Sequence, residues 1–95
     1  MLFADKIRQL REEKQLFQRQ VSAYLEMDNA LYCKIERGDR QAKREQIVKL
    51  ASLFEVDSNI LLELWLADKL IVAISDENEL AEEAINIVLK QIKSK

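Results

Sequence analysis

The chain has no histidine and no proline, and it has a single glycine, Gly38, and a single cysteine, Cys33. Helices are hardly interrupted by such a composition, whereas a β protein needs more turn residues, so the expected class is all-α. One cysteine excludes an internal disulfide and suits a reducing cytoplasm. With no histidine and no second cysteine, a structural zinc site is excluded and no other metal site is expected. There is no Gly-rich phosphate loop and no nucleophile set beside a base. The carboxylate pairs Glu12-Glu13 and Glu82-Glu83 are adjacent in helical segments and point in different directions. Enzyme chemistry and a cofactor are therefore not expected. The opening MLFADKIRQLREE lacks a basic segment followed by an apolar run, so no signal peptide is expected. The apolar stretch 60–74 is broken by Glu63, Asp68 and Lys69, which is too short and too charged a run to span a bilayer.

What is present is 48% apolar and 34% charged residues in 95, the makeup of one small globular domain with a short tail. The net charge of -2 conceals a division. Residues 1–50 hold eleven Lys/Arg against eight Asp/Glu, and residues 51–95 hold four against nine. Basic charge is densest from Lys34 to Arg44, where five cations meet only Glu36 and Asp39. A basic front half and an acidic rear half suit a protein whose front meets phosphate.

Apolar spacing predicts six helices. Phe3, Ile7 and Leu10 form one face of a helix over about 3–14. Val21 and Leu25 face inward from a short helix over 18–25. Glu26-Met27-Asp28 is a tight connection, and the Asp28 carboxylate is expected to cap a third helix reaching Arg37, with Leu31, Tyr32 and Ile35 inward. Gly38 is placed to end that helix in a left-handed conformation. After a polar loop, a fourth helix over 44–54 buries Ile47, Leu50, Ala51 and Phe54. Asp57 or Ser58 caps a fifth helix to about Ile74. Asp76 and Glu79 have capping-box spacing for a sixth helix to about Ile92, carrying Leu80, Ala84, Ile87, Val88 and Ile92.

Residues 16–38 read as two short helices joined by about three residues, with small Ser22 where the helices would approach closely. The polar side of the second short helix carries Asp28, Asn29, Ala30, Cys33, Lys34 and Arg37. Short groups lie near its start and long cations near its end, as suits a helix whose tip reads bases and whose cations reach phosphate.

These segments resemble the phage-repressor-like helix-turn-helix family, also called the xenobiotic-response-element type. The similarity lies in IRQLREEKQL (7–16), the start of the second helix from Gln18 to Val21, KIERG (34–38) and IVKLASLFEVD (47–57). It covers about residues 3–67 and implies a five-helix DNA-binding domain over 1–67, followed by a helical dimerisation extension over 68–95. The loop RGDRQAKREQ and the following LELWLAD look like a bacterial subgroup encoded near restriction-modification genes.

The resemblance implies roles by position. Gln18 starts the second helix beside the DNA backbone and supports the first residue of the third. Asn29 is that residue and reads a base edge, where an amide can pair bidentately with adenine. Ala30 is placed for a thymine methyl, although plain helix formation accounts for it better. Cys33 and Lys34 face the groove, with Cys33 an inert small residue rather than a redox sensor. Arg37, Arg40, Lys43 and Arg44 match the loop that tracks the phosphodiester backbone, and the amides opening the fourth helix add positive dipole there. Each cation has a plainer reading as solvated charge, and Arg37 has an alternative ionic partner in Glu45.

Two positions depart from the family. Phe17 stands where Thr or Ser usually caps, and Glu26 stands where glycine usually makes the turn. If φ is positive there, Glu26 is strained by about 1 kcal/mol or more. Glu26 and Asp28 bring negative charge near DNA and should point away from it.

The fifth helix is apolar on nearly every side, more than a monomer of this size can cover. Leu62, Trp65, Leu66, Leu70 and Ile74 are the expected homodimer interface, unless the sixth helix folds back over them. The expected function is a cytoplasmic transcription regulator binding a near-palindromic operator in double-stranded DNA, with no small-molecule effector and no membrane partner. The acidic rear half favours an alternative, an antitoxin or adaptor that uses the same fold to bind a protein.

Overall fold

The computed structural model describes residues 1–94 and is built from six helices: α1 (Leu2–Glu13), α2 (Gln18–Tyr24), α3 (Asn29–Arg37), α4 (Arg44–Phe54), α5 (Ser58–Ile74) and α6 (Ala81–Lys93). No strand occurs among the described residues, so the all-α expectation holds. The first five helices match the sequence periodicity to within one or two residues.

One core joins α1 to α5. Phe3, Ile7 and Leu10 from α1, Val21 from α2, Tyr32 and Ile35 from α3, Ile47, Leu50 and Phe54 from α4, and Leu61 and Leu62 from α5 are all buried in it. α1 packs on α3, α4 and α5, and α4 packs on α5. These elements form the platform against which the α2–α3 pair is set. Leu31, expected inward, is only half-buried, because α3 turns Tyr32, Ile35 and Glu36 to the core.

Four helix ends close in the left-handed region, and only one of them has a glycine. Gly38 has φ +83°, and its N–H and that of Asp39 bond back to the carbonyls of Ile35 and Lys34 at 3.0 and 2.9 Å. Gln15 (φ +56°), Glu26 (+56°) and Glu55 (+58°) close α1, α2 and α4 in the same way. The following amides of Leu16, Met27 and Val56 reach back to Arg11, Ser22 and Ala51 at 3.0–3.1 Å. Leu16, Met27 and Val56 are half-buried against the core, and this anchorage holds the strained residues in place.

One expectation about the last third fails. The capping box at Asp76 and Glu79 does not form: residues 75–80 are turns, and α6 begins at Ala81 with Leu80 at the N-cap. The alternative to an interface between copies, a sixth helix folded back over α5, does not occur, for α6 buries no residue fully. The boundary read between residues 67 and 68 falls inside the continuous α5, and Asp68 is tied to the domain core. Its carboxylate accepts from the Leu2 and Phe3 amides at 2.9 Å each, capping α1 from a helix 65 residues away in sequence. Asp57 caps α5 as expected, accepting from the Asn59 amide at 2.9 Å.

Candidate nucleic-acid interface

α2, the turn 25–28 and α3 form the unit read from the sequence. Glu26 takes the positive φ that the turn requires. Phe17 opens α2 and is 63% exposed, so it contributes no cap. The Gln20 side chain substitutes, accepting from the Phe17 amide at 2.7 Å. Asp28 occupies the N-cap position of α3, but its carboxylate makes no cap hydrogen bond and is exposed, a correction to the expected cap.

Along α3, Asn29, Ala30, Lys34 and Arg37 face solvent, while Tyr32, Ile35 and Glu36 face inward. Cys33 is half-buried between them. Gln18 does not support Asn29. Its amide spans two other α3 residues, accepting from Cys33 Sγ at 3.2 Å and donating to Glu36 Oε1 at 3.3 Å. Asn29 is steadied by Ser22, whose buried Oγ lies 3.2 Å from Asn29 Oδ1. The small residue at the close approach of α2 and α3 therefore also orients the first residue of α3.

Beneath α3 lies an ionic anchor that the sequence did not reveal. Arg11 forks onto Glu36, with Nε 2.9 Å from Oε2 and Nη2 2.8 Å from Oε1, while Nη1 donates to the Leu16 carbonyl at 2.8 Å. The Glu36 side chain is 2% exposed and that of Arg11 14%. Burial alone would raise the Glu36 carboxyl, but the Arg11 hydrogen bonds and charge outweigh it and hold it below the usual carboxylate range. The same hydrogen bonding raises Arg11. Tyr32 Oη is enclosed beside Glu36; burial first, and hydrogen bonding with Glu36 second, push its ionisation up. The Arg11–Glu36 pair thus bolts α3 to α1 and fixes how far α3 stands out.

A second support carries the cationic loop. Trp65, half-buried, donates from Nε1 to the Ala42 carbonyl at 3.0 Å. Arg44 lies 5.8 Å and Lys69 3.6 Å from its ring centroid, both in cation–π range. Ala42 is buried, and Arg40, Lys43 and Arg44 project around it, all exposed. Gln46 accepts from the Lys43 amide at 2.8 Å and completes the start of α4. Arg37 pairs with Asp39 at 3.2 Å across exposed surface, not with Glu45. Such a pair exchanges readily for phosphate.

The residues assigned to an interface between copies separate. Leu62 lies in the core of its own chain, and Trp65 is engaged with the loop. Leu66 and Leu70 are exposed, and Ile74 is half-buried. Among the described residues, no helix is long and apolar enough to cross a membrane.

Two short helices joined by a tight turn, the second presenting an amide and cations outward from a five-helix platform, define a helix-turn-helix DNA-binding domain. The family model described as "Helix-turn-helix domain" matches residues 2–64, and the chain belongs to that family. No curated protein and no solved structure matches the chain.

Proposed function

We propose that the protein is a sequence-specific transcription regulator of the phage-repressor-like type, acting in the bacterial cytoplasm and binding a near-palindromic operator as a homodimer. The observation that carries this reading is the outward row Asn29, Ala30, Lys34 and Arg37 on a helix braced from below by Arg11–Glu36. α3 enters the major groove, Asn29 reads a base edge, and Lys34 reaches guanine or phosphate. Arg37, Arg40, Lys43 and Arg44 hold the backbone, aided by the free amides opening α4. Asp28 and Glu26 are both exposed, and this docking requires their side chains to turn away from the phosphates. In the homodimer two α3 helices lie roughly 34 Å apart, one turn of duplex. The loop over residues 37–46 favours control of restriction-modification genes as the setting.

The test is selection of duplexes from a random pool by the purified chain, followed by competition binding. Asn29→Ala should lose about 1–3 kcal/mol of discrimination at defined base positions. Arg44→Ala should weaken every duplex alike and reduce the salt slope by about one. A pool that shows no sequence preference at moderate salt would overturn the reading. A protein partner retained by the chain without DNA would favour the adaptor alternative.

A further inference from the structure

Beyond the DNA-binding platform, the end of α5 and α6 enclose an open apolar cleft of about 300 Å³, lined by Leu70, Ile74, Ile85, Val88, Leu89 and Ile92 among others. Its walls stay wet in the single chain: Leu70 is 55% exposed, Val88 46% and Ile92 61%. Apolar area of this extent on two adjoining helices calls for an occupant.

The charges on α6 identify the occupant. Glu82 and Glu83 lie in its first turn, and Lys90 and Lys93 in its last. Glu82 and Lys93 are eleven residues apart, about 20° apart around the helix and about 16 Å apart along it. They therefore edge the same flank of the apolar stripe that carries Ala84, Ile85, Val88 and Ile92. A two-fold axis across two antiparallel helices sets that flank against its own copy in reverse order. Each Glu82 then meets the Lys93 of the other copy, twice per pair. A parallel arrangement would instead bring the acidic ends together, Glu77, Glu79, Glu82 and Glu83 from both copies.

We infer that the occupant is a second copy of this chain, with the two α6 helices antiparallel and centred near Val88, each lying in the cleft of the other. This rests on the homodimer reading above and supplies its geometry.

Charge exchange in the full-length chain, read by sedimentation equilibrium, tests it. Glu82→Lys and Lys93→Glu should each weaken self-association by about tenfold, because two attractive contacts become repulsive. The double exchange Glu82→Lys/Lys93→Glu should restore it. An equimolar mixture of the two single variants should form mixed dimers in preference to either homodimer, since every contact between them is then attractive. Effects within one helix cannot mimic this rescue, because the double exchange puts the wrong charge at both ends of α6. A parent chain that stays monomeric at all concentrations would overturn the homodimer and this geometry together. A dimeric parent whose single variants associate unchanged, or whose double variant is not restored, would overturn the antiparallel pairing and leave the homodimer standing.

Discussion

Arg11→Met should be among the most damaging single substitutions in the chain. Methionine retains the aliphatic stem of Arg11 and removes the guanidinium. The Glu36 carboxylate, 2% exposed, is then left with the Gln18 amide at 3.3 Å and the enclosed Tyr32 hydroxyl, neither of them charged. Stripping the partner from a buried ion pair costs about 3–5 kcal/mol. The Leu16 carbonyl also loses its donor at 2.8 Å, worth about 1 kcal/mol more. Against a typical total stability of about 5–15 kcal/mol, that leaves a marginal fold. Urea unfolding followed by circular dichroism across pH 4 to 8 would measure it, and the pH dependence carries the sharper information. In the parent chain the Glu36 carboxyl is held low, so its stabilisation is present above the unfolded value of about 4.3 and is lost as pH falls through the folded value. In the variant the Arg11 hydrogen bonds and charge are gone, burial is opposed only by Tyr32 and Gln18, and the carboxyl should rise. Its contribution is then fully present below the unfolded value and is lost as pH rises through the raised one. The gap between parent and variant should therefore narrow on acidification. Arg11→Met/Glu36→Leu, which leaves no charge behind, should recover most of the loss. A cost below about 1 kcal/mol at pH 7, or a gap that does not shrink in acid, would refute the anchor's role.

Two further substitutions probe supports that act at a distance or locally. Asp68→Ala leaves the Leu2 and Phe3 amides uncapped and should cost about 1–2 kcal/mol in the same unfolding assay, with hydrogen exchange rising first at the start of α1. Glu26→Gly relieves the positive φ at the turn and should stabilise the fold by about 0.5–1 kcal/mol, net of the entropy glycine loses on folding; a destabilised variant would mean that the turn bears no strain.

The parts legible in the sequence are those encoded locally. Ile7 and Leu10, Ile47 with Leu50 and Phe54, and the glycine after Arg37 each act within a turn or two, so α1 to α5 could be outlined from spacing alone. The positive φ at Glu26 is legible only through the family resemblance, which places glycine at that turn. The failures share a cause. Asp68 interrupts an apolar run and gives no sign that it reaches back to Leu2. Glu36 looks like one more charge in a solvated run, yet its partner Arg11 lies 25 residues earlier. The resemblance points Gln18 toward Asn29, but its amide meets Cys33 and Glu36. The start of α6 was misplaced for a related reason. The Asp76–Glu79 spacing is a local signal that counts only if the chain enters a helix there, and the turns through residue 80 delay that entry.

These long-range contacts converge on one stretch of α5. Within six residues, Trp65 holds the cationic loop at Ala42, Lys69 lies over the Trp65 ring, Asp68 caps α1, and Leu66 and Leu70 point outward. A helix is stiff over this length, so whatever seats the outward face also sets the position of the loop and of α1. α1 in turn holds α3 through Arg11 and Glu36. If a second copy docks on Leu66, Leu70 and α6, the spacing between the two α3 helices is set through this one rod. Changes at the outward face would then alter which operator spacing is preferred without touching a residue that meets DNA.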